Sequence, residues 1–456
     1  MLEIIYLCLL VLILLIEFKR KKKTPIDFLT LFNIGYILWY PFPAFLTALN
    51  REYLSGHWII NLNYYTNNVQ TALAIFLGYF LVVAGFYSSS AQKLGKKLII
   101  KSRSSTSVFR YALLLLLFVY ISILIFSAPL GGVSNAISRG LEIRSGRVNT
   151  GSFGFFQRFF SGASFASYLL AAFVFTKNSR KGKIFKIVVF FISVIITLLS
   201  FMLRAGRTNV IFYCLGFYQI YTIKSKKISL LTTSLCLILA SLFLFFGKNL
   251  FFSLSALPQG IDAVVDTYNR SVEGGSANEG LNLFSLMDSF NYTVFSLDMA
   301  LHQDYELRLF TDLYYGFISL LPSRLLGIEE VHTILYYNSV FLTGGSEVNI
   351  PTGFLAFGIY SMSWSGLIIV CLVYGWVGGY LQCLLEKHLK DVFWMPFFYP
   401  LVAQIWVLAQ SADPETFFQS NFILLISSLI MLSFGAKVYP LKSSFENKNI
   451  PQKTIR

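Results

Sequence analysis

Arg204 and Arg207 stand three residues apart in the stretch Ser200-Phe201-Met202-Leu203-Arg204-Ala205-Gly206-Arg207-Thr208, a short polar break between two apolar runs. A guanidinium is a planar fork of donors that stays charged near neutral pH, so it grips phosphate with two parallel hydrogen bonds. Gly206 lets the chain turn there. Arg207 then opens the next helix, where the dipole already favours an anion and a cation is unfavourable until one binds. The bland alternative is two arginines snorkelling to a membrane surface. Arg139, Arg144 and Arg147 follow a Pro129-Leu130-Gly131-Gly132 turn and offer a second phosphate contact or a contact to a sugar ring; otherwise they are a solvated helix face. His332, one of four histidines, lies in Leu321 to Asn338 with Arg324, Glu329 and Glu330. A histidine near phosphate-binding arginines could take a proton from a hydroxyl, unless it is an ordinary hydrogen-bonded surface group. Glu329, Glu330 and Glu347 compete for that role. His57 and His302 read as isolated, and His388 falls on the other face of the molecule.

The absences narrow the chemistry. The chain has no Gly-rich nucleotide loop, no H-E-x-x-H and no C-x-x-C pair. Cys8, Cys214, Cys236, Cys371 and Cys383 all fall in apolar runs without metal-site spacing, and read as small apolar residues. The segment 49–67 carries Glu52 but lacks the acid pair with which many lipid-phosphate-sugar glycosyltransferases hold a metal. No metal or other cofactor is expected.

These residues must be positioned by membrane helices. Of 456 residues, 55% are hydrophobic and 13% charged, about half the charge of a soluble chain. The apolar residues gather in runs long enough to cross a hydrocarbon core, and the runs are continuous rather than alternating, which selects helices over a barrel. Eleven spans are expected, at 2–18, 26–48, 68–87, 107–128, 158–176, 184–203, 208–223, 228–247, 354–385, 392–411 and 416–435. The first reads as a retained span: no basic region precedes it and no small-residue cleavage site follows. Lys19 to Lys23 come directly after it and set the N-terminus outside and the C-terminus inside.

Counting onward, the inner segments 19–25, 88–110, 177–186, 224–227, 386–391 and 436–456 hold 26 of the 37 basic residues. The net charge of +15 is therefore a topology signal and not a nucleic-acid surface. The type of cation is more telling. Of the 26 inner cations, 21 are Lys; of the 11 outer ones, ten are Arg, namely Arg51, Arg139, Arg144, Arg147, Arg158, Arg204, Arg207, Arg270, Arg308 and Arg324. Topology alone gives no reason for that preference, whereas an outer site for a phosphate-bearing ligand does. Pairing with the outer acids is the competing explanation.

The organisation follows: spans one to eight over 1–247 with an outer loop at 129–157; a large outer loop with amphipathic helices over 248–353; spans nine to eleven over 354–435; and a tail at 436–456. A loop as long as 248–353 is usually functional, and its aromatic content suggests that it packs back onto the membrane helices. No internal repeat is visible, nor an inverted pair of broken helices of the transporter kind.

After the Arg-x-Gly-Arg turn and this long loop come Leu321-Pro322-Ser323-Arg324-Leu325-Leu326-Gly327, Gly344-Gly345-Ser346, Pro351-Thr352-Gly353, Phe357-Gly358-Ile359-Tyr360, Trp364-Ser365-Gly366, Tyr374-Gly375 and Gly378-Gly379. In order and spacing the series resembles the O-antigen polymerase family, the Wzy-type oligosaccharide repeat-unit polymerases, over roughly 130–385. The resemblance implies an all-α membrane glycosyltransferase of GT-C-type architecture in the bacterial inner membrane, working at the periplasmic face without metal. It would move a growing glycan from undecaprenyl pyrophosphate onto a lipid-linked repeat unit, in lipopolysaccharide biosynthesis. Its partners would be undecaprenyl-pyrophosphate-linked oligosaccharides, membrane lipids and a chain-length regulator protein. By the same resemblance, Arg204 and Arg207 would bind the pyrophosphate. His332 would match a functional histidine of the related O-antigen ligases, although no clear motif surrounds it. Attack opposite the leaving group would invert the anomeric centre. An O-antigen ligase, with similar chemistry and a lipid A-core acceptor, is the first alternative. A polysaccharide lipid flippase should show a two-fold repeat and more polar residues within its spans. A membrane O-acyltransferase should place its histidine within the membrane.

Overall fold

A computed structural model describes residues 2–49, 68–100, 104–144, 148, 150–176, 182–204, 206–274, 290–321, 332–345, 349–433 and 436–437. The protein is mostly helical. Among the described residues the only sheet is a two-residue antiparallel ladder that pairs Ile99 with Lys437 and Ile100 with Ala436.

In chain order the first half contains α1 (Leu2–Lys19), α2 (Phe28–Trp39), α3 (Pro41–Leu49), α4 (Val69–Phe86), α5 (Ser89–Lys97), α6 (Ser105–Ser127), α7 (Val133–Ser138) and α8 (Gly140–Arg144). Then come α9 (Gly162–Phe175), α10 (Lys183–Leu203), α11 (Arg207–Ser225), α12 (Leu230–Ser253) and α13 (Ile261–Gly274). The last part holds α14 (Tyr292–His302), α15 (Thr311–Ile318), α16 (Ile334–Thr343), α17 (Gly353–His388), α18 (Met395–Leu408) and α19 (Pro414–Ser433). Polar side chains mark several starts: Asp27 accepts from the Thr30 amide at 2.9 Å, and Asn68, Ser88 and Ser104 cap α4, α5 and α6 in the same way.

Seven stretches among the described residues are long and apolar enough to cross a membrane: Phe28–Leu49, Val69–Lys97, Ser105–Leu130, Gly151–Phe175, Lys183–Leu203, Gly353–His388 and Pro414–Ser433. This fits an all-α membrane protein. The other four expected spans coincide with α1, α11, α12 and α18, which are not among these seven. In α18 the helix runs only 14 residues, past an internal Pro400, before a 3-10 turn at Ala409–Ser411.

The bundle has two distinct ends. At one, Arg20 donates to both Glu17 and Asp27, Thr24 donates to Glu386 at 3.1 Å, and Gln219 donates to the Ile26 carbonyl at 3.0 Å. There too, the Ile100 amide donates to His388 Nε2 and Lys387 donates to the Lys96 carbonyl. The lysine-rich segments 19–25, 88–100 and 386–391 meet here, and we call this the basic end. The opposite end gathers 128–144, 150–160, 203–204, 308–321, 332–345 and 409–420. Part of the stretch 248–353 lies inside the bundle: residues from Thr293 to Ala300 on α14 are buried, and Thr293 donates to the Trp39 carbonyl.

The expected single span 354–385 takes a different form. Met362 (φ −150°, ψ 34°) and Ser363 (φ 54°, ψ −142°) break α17 into an arm at 353–361 and a long arm at 364–388. In a straight helix Phe354 and Tyr374 would stand about 30 Å apart. Here their rings stack at 5.0 Å, and a Cβ on Gly358 would touch Leu367 Cα at 2.8 Å. The arms therefore form a hairpin. The short arm starts deep among aromatic rings, with Phe354 beside Tyr36 and Tyr40, and runs outward to the break. The long arm returns along α4, where Cβ atoms on Gly375 and Gly379 would lie 2.0 Å and 2.2 Å from the Val82 and Phe86 carbonyl oxygens. Only glycine permits that approach. One broken helix is thus present where the sequence reading expects a single span.

Candidate active site

The turn between α10 and α11 is as tight as the sequence implies: α10 ends at Leu203, Arg204 caps it, and α11 starts at Arg207. Arg204 is half-buried, and its guanidinium donates to the Gln157 carbonyl and lies 5.7 Å from the centre of the Phe160 ring. No ion pair forms to it among the described residues. Burial away from water, uncompensated by a carboxylate, pulls its pKa down to about 10. A buried cation in that state gains from any anion brought to it.

A second guanidinium stands on the same strap of chain. Arg158 follows Gln157, lies 5.5 Å from the Phe155 ring centre, and donates to the Leu320 carbonyl, with the Glu415 carboxylate in electrostatic reach. Glu415 opens α19. It accepts from the Thr333 hydroxyl and, at 2.9 Å, from Gln419. Asp413 caps α19, accepting from the Thr416 amide at 2.9 Å and its hydroxyl at 2.8 Å. Burial pushes the Asp413 carboxyl up to about 6 despite these bonds. Ser161 donates to the Ser420 carbonyl at 3.2 Å, which ties the Arg158 strap to the first turns of α19.

His332 is joined to this group through its neighbour Thr333. Its ring is exposed, stacks on Tyr336 at 3.9 Å, and has no hydrogen-bond partner among the described residues. Its carbonyl accepts from Arg308, which also makes a two-pronged pair with buried Asp312 at 2.5 Å and 2.9 Å and lies 4.9 Å from the Tyr337 ring centre. Asp312 in turn accepts from the Ile334 amide at 2.8 Å, so Arg308 and Asp312 clamp the start of α16. Arg308 is accordingly a neutralised structural cation, held above its ordinary pKa by hydrogen bonds to Asp312 that outweigh desolvation.

Comparison with protein-family models, with curated proteins and with solved structures gives no match.

The remaining sequence candidates sort by position. Arg139 caps α7 and pairs with Glu142 at 3.3 Å, both exposed. The next residue, Gly140, abuts the Met202 and Leu203 carbonyls, so this loop meets the Arg204 turn. Arg144 ends α8, and the backbone of Arg207 begins α11. Arg147, Arg324, Glu329, Glu330 and Glu347 lie outside the described residues. His302 is engaged rather than isolated: its Nδ1 is 2.7 Å from the Asp298 carbonyl and its Nε2 2.9 Å from Asn68. Sequence reasoning missed Arg158, Asp413 and Glu415 as site residues. The available signals were the place of Arg158 among the outer arginines and the acids flanking Pro414 between two apolar runs.

Proposed function

We propose that the protein is a membrane glycosyltransferase of the O-antigen polymerase type, with eleven spans and the Arg204 end facing the periplasm. The observation that carries this reading is the half-buried Arg204 guanidinium, without an ion-pair partner among the described residues and next in space to the Arg158 strap, at one end of a bundle of apolar helices long enough to cross a membrane. A ligand with a polyprenyl tail and a pyrophosphate head matches both features: the tail lies along apolar helices and the head meets the guanidiniums.

In this reading Arg204 and Arg207 hold the pyrophosphate of undecaprenyl-pyrophosphate-linked glycan, and Arg139, Arg144, Arg147 and Arg324 supply further phosphate or sugar contacts. The acceptor is a lipid-linked repeat unit. Its terminal hydroxyl oxygen attacks the anomeric carbon, the bond from that carbon to the phosphate oxygen breaks, and undecaprenyl pyrophosphate leaves with the electron pair. His332 or Glu347 takes the hydroxyl proton. Guanidiniums stabilise the charge growing on the leaving oxygen, so the step needs no metal. The product inverts at the anomeric centre; linkage analysis that finds retention removes that part. Binding tests the core of the reading. The purified protein in nanodiscs should bind undecaprenyl pyrophosphate, and Arg204→Ala should weaken that binding by about 10-fold or more. Equal binding by the variant would take the pyrophosphate away from Arg204.

A further inference from the structure

We infer that the cleft at the break in α17 is a subsite for one neutral, hydroxyl-rich sugar ring. The cleft encloses about 230 Å³ between the C-terminal end of α14 and the break, and Gln303, Asp304, Tyr305, Ser363 and Trp364 line it. Its walls carry two kinds of surface that sugar rings need. The half-buried Trp364 offers an aromatic face for the C–H side of a ring, and the other side chains offer hydrogen-bonding groups for its hydroxyls.

Those polar groups are free to bind. Among the described residues the Gln303 side-chain amide, the Asp304 carboxylate, the Ser363 hydroxyl and the Trp364 indole N–H have no hydrogen-bond partner. Tyr305 differs: its hydroxyl donates to the Ala300 and Ile359 carbonyls, at 2.9 Å and 3.2 Å, which fixes the back of the cleft. The floor is rigid as well. The break frees the Tyr360 and Ser361 carbonyls, and the Arg308 and Leu309 amides donate to them at 3.1 Å and 2.9 Å.

The backbone adds a separate argument. Leu309, Phe310 and Ser363 all have positive φ, at 46°, 62° and 54°, and they meet at this one place. A serine at φ 54° and ψ −142° occupies a region that only glycine visits freely, and such strain persists where the surrounding structure enforces it, often at binding sites. Here it turns Trp364 toward the cleft wall formed by the end of α14. The same Arg308 whose amide bonds the break also donates to the His332 carbonyl through its guanidinium, so the subsite and the proposed base share one anchor.

This inference rests on the glycosyltransferase reading for the identity of the sugar, but its test is separable. The full-length protein in nanodiscs is titrated with two probes: the repeat-unit oligosaccharide released from its lipid, and undecaprenyl pyrophosphate. Asp304→Asn and Trp364→Ala should each weaken oligosaccharide binding about tenfold and leave undecaprenyl pyrophosphate binding unchanged, while Trp364→Tyr should retain most of the affinity. Asp304 is exposed, so its variant keeps the test open if Trp364→Ala fails to fold. Unchanged oligosaccharide binding in Asp304→Asn and folded Trp364→Ala overturns the subsite, as does a wild type that binds the lipid pyrophosphate and not the oligosaccharide. A wild type that binds the oligosaccharide through these residues and not the lipid pyrophosphate upholds the subsite and overturns the polymerase reading.

Discussion

The Arg204 guanidinium lies 5.7 Å from the centre of the Phe160 ring, on the carbonyl of Gln157, and no carboxylate among the described residues answers it. A charge kept half-buried without a counter-ion costs stability, and the cost is recovered when an anion arrives. Arg204→Leu should therefore raise the melting temperature of the resting protein while abolishing activity. A lower melting temperature would mark Arg204 as structural. Arg204→Lys keeps the charge and loses the fork, and should lower kcat/KM by about 10- to 100-fold. Because burial lowers the Arg204 pKa to about 10, anion binding should weaken as pH rises through that value rather than near 12.5.

Asp413 gives a pH signature of its own. Its folded pKa of about 6 stands above the unfolded value of about 3.8, so the native state binds the extra proton between them. The stability this contributes is fully present below about 3.8 and is lost as pH rises through about 6. Asp413→Asn should flatten that slope and raise stability at pH 7 by up to about 3 kcal/mol. Thermal melts of both proteins from about pH 4 to about pH 8 provide the check.

Glu347 lies outside the described residues, so His332 is compared with Glu415, the carboxylate that its neighbour Thr333 touches. His332→Gln should lower kcat by about 100-fold with KM unchanged. Glu415→Gln, which keeps an acceptor for Thr333, should cost less. The reverse order would assign the proton to Glu415.

The hairpin in α17 makes opposite predictions for two neighbours. A Cβ on Gly366 would lie 2.1 Å from the Gly358 carbonyl oxygen, so Gly366→Ala should destabilise by about 2 to 4 kcal/mol. Ser363→Gly removes the strain at φ 54° and should stabilise by about 1 kcal/mol. Denaturation of both variants in detergent distinguishes a hairpin from a straight helix, in which the signs would reverse: Gly366→Ala would stabilise by up to about 1 kcal/mol and Ser363→Gly would destabilise.

The sequence showed the long apolar helices, the tight turn at Arg204 and the segments that meet at the basic end, because hydropathy and charge are local signals. It hid the break at Met362 and Ser363, because neither residue is a strong helix breaker and the apolar runs on either side of the short Ser361-Met362-Ser363-Trp364-Ser365-Gly366 stretch read together as one span. The paired glycines at 358 and 366 were the trace of that break. It also hid the meeting of Arg158 with Glu415, which are separated by more than half the chain. The place of His302 was lost for a similar reason: its partner Asn68 belongs to a different part of the chain.

The central claim is glycan transfer between lipid pyrophosphates. Purified protein in nanodiscs is given an undecaprenyl-pyrophosphate-linked repeat unit as both donor and acceptor, with no nucleotide sugar and no added metal. The expected product is a ladder of longer lipid-linked glycans that is lost in Arg204→Ala. Absence of any ladder, from folded wild-type protein given its cognate repeat unit, would contradict the polymerase.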